Sequence, residues 1–336
     1  ASYRRQRQMC IRDRFNKGII MSNELPSIVE RAYIVTGKPH IYLAPEKNPG
    51  WQSLYDSYAK VREEIEASDA DLILYYSTQW ISVIGHLFQA DPEPEWTFVD
   101  SDWHEFGSIP YKFKMDSEFS AAYADEMRKT GKNSATVNYQ GFPIDGGTIV
   151  AQKLLNPDNR LPASVVSCNM YAEKAETMEL GRAGAVALAR QGKKAIVVLV
   201  SALSNRYHVK DIQPEDDHIS SAKDHEWNLK LLELLEEGRL EDTAEVAREV
   251  GREANGDMGF RGIWWLNALC GQHNNFTGNI FDYKPVWGTG AVLVGLTPTK
   301  PIEGPSVWKG ESVTFGEATG KILGSDEDEK LSLIHI

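Results

Sequence analysis

The chain has 336 residues, 42% of them hydrophobic and 10% aromatic, enough to bury a large core. Lys and Arg number 36 against 48 Asp and Glu, a formal charge of −12 that argues against nucleic acid or an anionic membrane as partner. No run reaches the roughly 18 apolar residues of a membrane span.

The first residues look foreign to the rest. Arg4, Arg5, Arg7, Arg12, Arg14 and Lys17 face only Asp13 there, with no amphipathic period. That stretch and the closing Leu-Ser-Leu-Ile-His-Ile resemble translated sequencing-adaptor ends, so residues 1–20 are expected to be a non-native leader and Met21 a natural start. Three cysteines, Cys10, Cys168 and Cys270, form no CxxC pair, which fits a reducing cytoplasm better than a disulfide scaffold. Cys168 and Cys270 lie in apolar stretches and are expected to be buried.

Residues 32–36 predict a first short strand ending at Gly37, with Lys38, Pro39 and His40 in the loop beyond, and His40 facing solvent. Leu54, Tyr58, Val61 and Ile65 recur at helical spacing and predict a helix over 53–67. An apolar strand over 71–77 follows, delivering Ser77, Thr78 and Gln79 at its carboxyl end. Asp91-Pro-Glu-Pro-Glu reads as a surface loop, and the alternation from Tyr111 to Met115 as a half-exposed strand.

In the second half, 163–168 and 195–201 are buried strands separated by a long helix over 173–191. Strand, crossover helix and strand imply parallel pairing. Helices at 224–236, 240–254 and 258–270 come next, and 290–296 is a last apolar strand. The expected fold is α/β, a mostly parallel or mixed sheet flanked by helices in a single large domain over 21–299, with a loose tail over 300–336. In such sheets ligands bind outside the carboxyl ends of the strands. His40, Gln79 and the segment from Asn205 to His208 fall at such positions, and Asp257, which begins a helix after Asn255-Gly256 where a cap is its bland role, could converge on the same crevice.

The succession Lys38-Pro-His-Ile-Tyr-Leu, Leu74-Tyr-Tyr-Ser-Thr-Gln-Trp-Ile81, Asp145-Gly-Gly-Thr148, Leu203-Ser-Asn-Arg-Tyr-His208 and Val286-Trp-Gly-Thr-Gly290 resembles, in order and spacing, the class III (LigB-type) extradiol ring-cleavage dioxygenases. The likeness runs from about residue 30 to 298 and is nearest to the two-subunit members acting on aminophenols, closer to their non-catalytic than to their catalytic subunit. Catalytic members hold ferrous iron with two His and one carboxylate, leaving open positions for a catechol-like ring and dioxygen.

By this resemblance Lys38 stands at the first His position, Gln79 at the second, and Asp257 at the carboxylate. Asn205 stands where relatives carry the His that moves protons. An ammonium offers iron no lone pair, and an amide is a weak ligand for it and no general base. The resemblance therefore implies a non-catalytic subunit of a heteromeric enzyme opening 2-aminophenol- or catechol-like rings, binding no metal itself and stabilising a paralogue that carries Fe(II). Two rival readings stand beside it. One is an active metal enzyme using His40, Asp257 and His208 in a shifted set; the other is a stand-alone protein holding a small aromatic or anionic ligand through Lys38, Gln79 and Asn205. Trp103-His104-Glu105 is a weak metal motif, and Trp264-Trp265 reads as core or subunit interface.

Overall fold

Four runs of the sequence, Val29–Val35 (β1), Leu72–Ser82 (β2), Ala163–Asn169 (β7) and Ala195–Val200 (β8), carry apolar residues on successive positions, over Ala32–Val35 in β1 and Leu72–Tyr76 in β2, because both of their faces are covered. They form the parallel centre of an eight-stranded sheet in the order β6-β3-β7-β2-β8-β1-β10-β9. Here β3 is His86–Gln89, β6 Ser134–Val137, β9 Phe276–Val286 and β10 Thr289–Pro298. The computed structural model describes residues 27–304. Cys10, the leader over 1–20 and most of the tail expected over 300–336 lie outside the described residues.

Alternation along the strands sends successive side chains to two cores. Ala32, Ile34, Leu74, Tyr76, Val197 and Leu199 point to one, which is closed by Ser117–Lys129 (α3), Lys174–Gln191 (α5), Ala222–Glu236 (α6), Leu240–Glu245 (α7), Ala247–Glu253 (α8) and Gly262–Leu269 (α9). Tyr33, Val35, Ile73, Tyr75, Ile196 and Val198 point to the other. That side is closed by Pro39–Leu43 (α1), Pro49–Glu66 (α2), Gly146–Leu155 (α4) and a separate ribbon of Glu95–Val99 (β4) with Ser108–Lys112 (β5). The whole is one α/β domain with a mixed central sheet. No described helix is long and apolar enough to cross a membrane.

Several expectations need correction: the strands over 163–168 and 195–201 run parallel but do not pair with each other, because β2 lies between them. The last strand, β10, runs antiparallel to β1 and is paired along its other edge with β9, an 11-residue strand whose half-exposed, polar-rich pattern hid it from periodicity. The alternation expected over 111–115 ends at Lys112 and pairs with β4 outside the main sheet, so that β4 occupies part of the expected surface loop. The helix expected over 240–254 is two short helices, and that over 258–270 is interrupted: Asp257–Phe260 is a 3-10 turn in which Met258 and Gly259 have φ of 47° and 68°. Trp264 and Trp265 are core, their indole N–H groups donating to the Ala244 carbonyl and the Tyr123 hydroxyl.

Strand β2 does not stop at Ser77. Its pairing with β7 passes from Ser77 opposite Ser167 directly to Ile81 opposite Cys168, so Thr78, Gln79 and Trp80 are looped out of the ladder. Such a bulge re-aims side chains that a regular strand would alternate between the two cores.

Candidate functional site

Gly37 ends β1 against the first turn of α4, where a Cβ would lie 2.1 Å from the Gly147 carbonyl oxygen; only glycine lets the two segments approach this closely. Gly147 in turn lies against the Gln79 side chain, leaving a Cβ 2.7 Å from its amide. This is the structural reason for the Asp145-Gly-Gly-Thr run. Asp145 caps α4, accepting from the Thr148 backbone N–H at 3.0 Å, and also takes the Ser77 and Thr148 hydroxyls at 2.7 and 2.6 Å. Burial nevertheless pushes its carboxyl above the usual range.

Three of the expected site residues, Lys38, Asn205 and Asp257, are joined at the carboxyl ends of β1, β2 and β8. Lys38 is buried, and its Nζ donates to Asn205 Oδ1 at 3.3 Å and to the Tyr207 hydroxyl. Asn205 Nδ2 donates to Asp257 Oδ1 at 3.0 Å. The other carboxylate oxygen accepts from Thr78 Oγ1 at 2.6 Å, Ser201 Oγ at 3.3 Å and the Ala202 N–H at 3.2 Å. Asp257 is thus not a helix cap: both its oxygens serve the strand ends. Asn205 is an amide bridge, accepting from a cation on one side and donating to an anion on the other. Gln79 stands apart from this chain, its Nε2 donating to the Gly37 carbonyl at 2.9 Å.

His40 departs most from expectation. It lies in the short helix α1 rather than in a solvent-facing loop, and it is fully buried. Trp51, Trp103 and Phe106 meet its ring edge to face at centroid distances of 4.8, 4.5 and 5.1 Å, and Trp287 stacks on it at 5.6 Å. Neither ring nitrogen has a hydrogen-bond partner among the described residues. Burial, reinforced by the Lys38 charge, lowers its pKa to about 3, so it is a neutral imidazole in an aromatic cage.

His208 is not joined to Asp257 either. Its Nε2 lies 3.1 Å from Asp217 Oδ1 and its Nδ1 3.4 Å from Ser220 Oγ. Sequence reasoning missed Asp217, whose side chain is fully buried. Besides His208, it accepts from Trp51 Nε1 at 2.9 Å and from the backbone N–H groups of Trp287 at 2.6 Å and Gly288 at 2.9 Å. It thereby ties α2, the β9–β10 turn and the His208 loop together. Glu215 and Asp216 beside it are exposed, and no local signal separates the three acids.

The donor set does not fit ferrous iron. Lys38 presents an ammonium with no lone pair, Gln79 offers only a neutral amide oxygen, and both oxygens of Asp257 already accept hydrogen bonds. No group of three or more His, Cys, Asp or Glu among the described residues is arranged to hold a metal; His104 and Glu105 are exposed on a 3-10 turn.

Comparison with known proteins adds family information to this geometry. Residues 31–294 match the family model described as the catalytic LigB subunit of aromatic ring-opening dioxygenase. The chain is 32% identical over 265 residues to the 2-aminophenol 1,6-dioxygenase alpha subunit of a Pseudomonas species, covering 78% of this chain and 97% of the relative. It is 27% identical to the beta subunit over 273 residues, covering 78% and 89%. Escherichia coli 3,4-dihydroxyphenylacetate 2,3-dioxygenase is 20% identical, covering 75% and 93%. A crystal structure of an uncharacterised Escherichia coli K12 protein shares the fold at a TM-score of 0.53 and 12% identity, covering 79% of this chain and 99% of that one.

Proposed function

The chain belongs to the LigB family of aromatic ring-opening dioxygenases, and from that premise we propose that it is the non-catalytic subunit of a heteromeric extradiol enzyme acting on 2-aminophenol- or catechol-like rings in the cytoplasm. Its partner is a paralogous subunit that carries Fe(II), and its role is to stabilise that subunit. The single observation that carries this reading is the Lys38–Asn205–Asp257 chain. A fixed ammonium, linked through one amide to the carboxylate, lies where the resemblance puts the iron ligands, and its charge opposes a dication. His40 and His208, the substitutes a shifted site would use, are held respectively in an aromatic cage and by Asp217. The likeness to both an alpha and a beta subunit supports a paralogous partner. An obligate pair of this kind buries on the order of 2,000 Å² or more.

The test compares three preparations: this chain alone, the paralogue alone, and the two co-expressed. Iron content and 2-aminophenol ring cleavage are measured on each. The expected result is no stoichiometric iron on this chain alone, with higher activity and solubility of the paralogue in the pair. Stoichiometric iron with ring cleavage by the lone chain overturns the proposal. The variant Lys38→His/Gln79→His/Asp257→Glu is expected to bind Fe(II) at least about tenfold more tightly than the parent, by removing a like charge and adding two imidazoles.

A further inference from the structure

Beside the Lys38 chain lies an open cavity of about 530 Å³ whose wall includes Trp103, Tyr207 and Trp287. The rings meet at different tilts: Trp103 and Tyr207 at 41° with centroids 5.6 Å apart, Trp103 and Trp287 at 70° and 6.2 Å. A ligand there would meet both faces and edges of aromatic rings. The lining also carries three carboxylates, Asp102, Glu105 and Asp211. None of the three forms an ion pair with any Lys, Arg or His among the described residues.

The wall is built to keep its shape. Trp287 is held at its own N–H and that of Gly288 by buried Asp217, and Trp103 packs on the caged ring of His40. The neighbouring cation, Lys38, donates to the Tyr207 hydroxyl and to Asn205, and its Nζ stands 4.5 Å from the Tyr207 ring centre, so Tyr207 already meets a cation and the free ring surface is that of Trp103 and Trp287. Lys38 does not line the cavity, and His208, which does, is held by Asp217. Negative ring faces within a rim of unpaired carboxylates attract positive charge and repel anions. Fixed walls also lower the ordering cost of binding.

We propose that this cavity is a binding site for a small organic cation, an alkylammonium or quaternary ammonium ion, seated against Trp103 and Trp287 with Asp102, Glu105 and Asp211 around it. The site does not depend on the partner subunit, and its failure would leave the non-catalytic reading standing.

The full chain, without partner, is titrated with benzyltrimethylammonium, benzyl alcohol and benzoate, followed by tryptophan fluorescence and calorimetry. The cation is expected to bind saturably and at least about tenfold more tightly than the neutral and anionic ring compounds. The Glu105→Gln/Asp211→Asn variant alters only exposed side chains and should keep the parent's Tm; its affinity for the cation is expected to fall about tenfold. Trp103→Leu is expected to lose the fluorescence response together with affinity. The proposal is overturned if benzoate or benzyl alcohol binds as tightly as the cation, if the carboxylate variant binds it as well as the parent, or if the cation does not saturate by about 10 mM.

Discussion

At the scale of single residues, His40 and Asp257 show how little a side chain's type says of its job. The imidazole of His40 could ligate a metal, yet it is spent as an aromatic-sized core group, and that choice makes stability depend on pH. Unfolded, it takes up a proton at about 6.5; folded, only at about 3. Between those values the unfolded chain holds the extra proton. Stability therefore rises with pH across that window, by up to about 1.3 kcal/mol per unit, and this contribution is complete above the unfolded value. His40→Phe, which keeps the ring contacts, is expected to flatten the pH dependence of urea unfolding between about pH 4 and 6. A slope equal to the parent's would show that the buried imidazole is not its source. Some slope will remain from His86, which burial also holds below its ordinary value despite Glu176 beside it.

At the scale of elements, the site is made by an irregularity. Had β2 kept its register past Ser77, Thr78 and Gln79 would point to opposite faces of the sheet; in the looped-out segment Thr78 reaches Asp257 and Gln79 reaches Gly37. Helix packing depends on equally local features. Gly181 of α5 lies against α9, where an added Cβ would fall 2.4 Å from the Trp265 carbonyl oxygen and 2.9 Å from the Ala268 side chain. Gly→Ala in an open helix position gains up to about 1 kcal/mol from propensity. At this position Gly181→Ala is expected instead to cost about 1–3 kcal/mol through overpacking, measured by urea unfolding. A neutral or stabilising result would mean that α5 and α9 can separate freely.

At the scale of the molecule, the strands divide their side chains between two cores, one on each face of the sheet. Cys168 in β7 and Cys270 just after α9 both belong to the core closed by α5 and α9. Burial pushes the Cys168 thiol up to about 11 and that of Cys270 further still. In the native chain at about pH 8, iodoacetamide should leave both thiols untouched. Peptide mass spectrometry is expected to find the two labelled over the same range of urea concentration as global unfolding. Labelling of either thiol well before that range would reveal a separately opening subdomain.

The sequence by itself determined that 163–168 and 195–201 are buried strands running in the same direction, because their apolar runs need cover on both faces and the helix between them returns the chain; it held no sign that β2 lies between them and pairs with both. It also placed Lys38, Gln79 and Asn205 at strand ends, since position in a βα unit is local information, whereas Asp257 could be placed only at a helix start. What the tertiary structure alone decided is which of them touch. The bulge at Thr78–Trp80, the burial of His40 and the choice of Asp217 over its acidic neighbours depend on segments distant in sequence: β7 opposite β2, four aromatic residues around one imidazole, and the β9–β10 turn against α2. Periodicity carries no signal for such meetings, because a buried polar group is set by the partners that surround it and not by its neighbours along the chain.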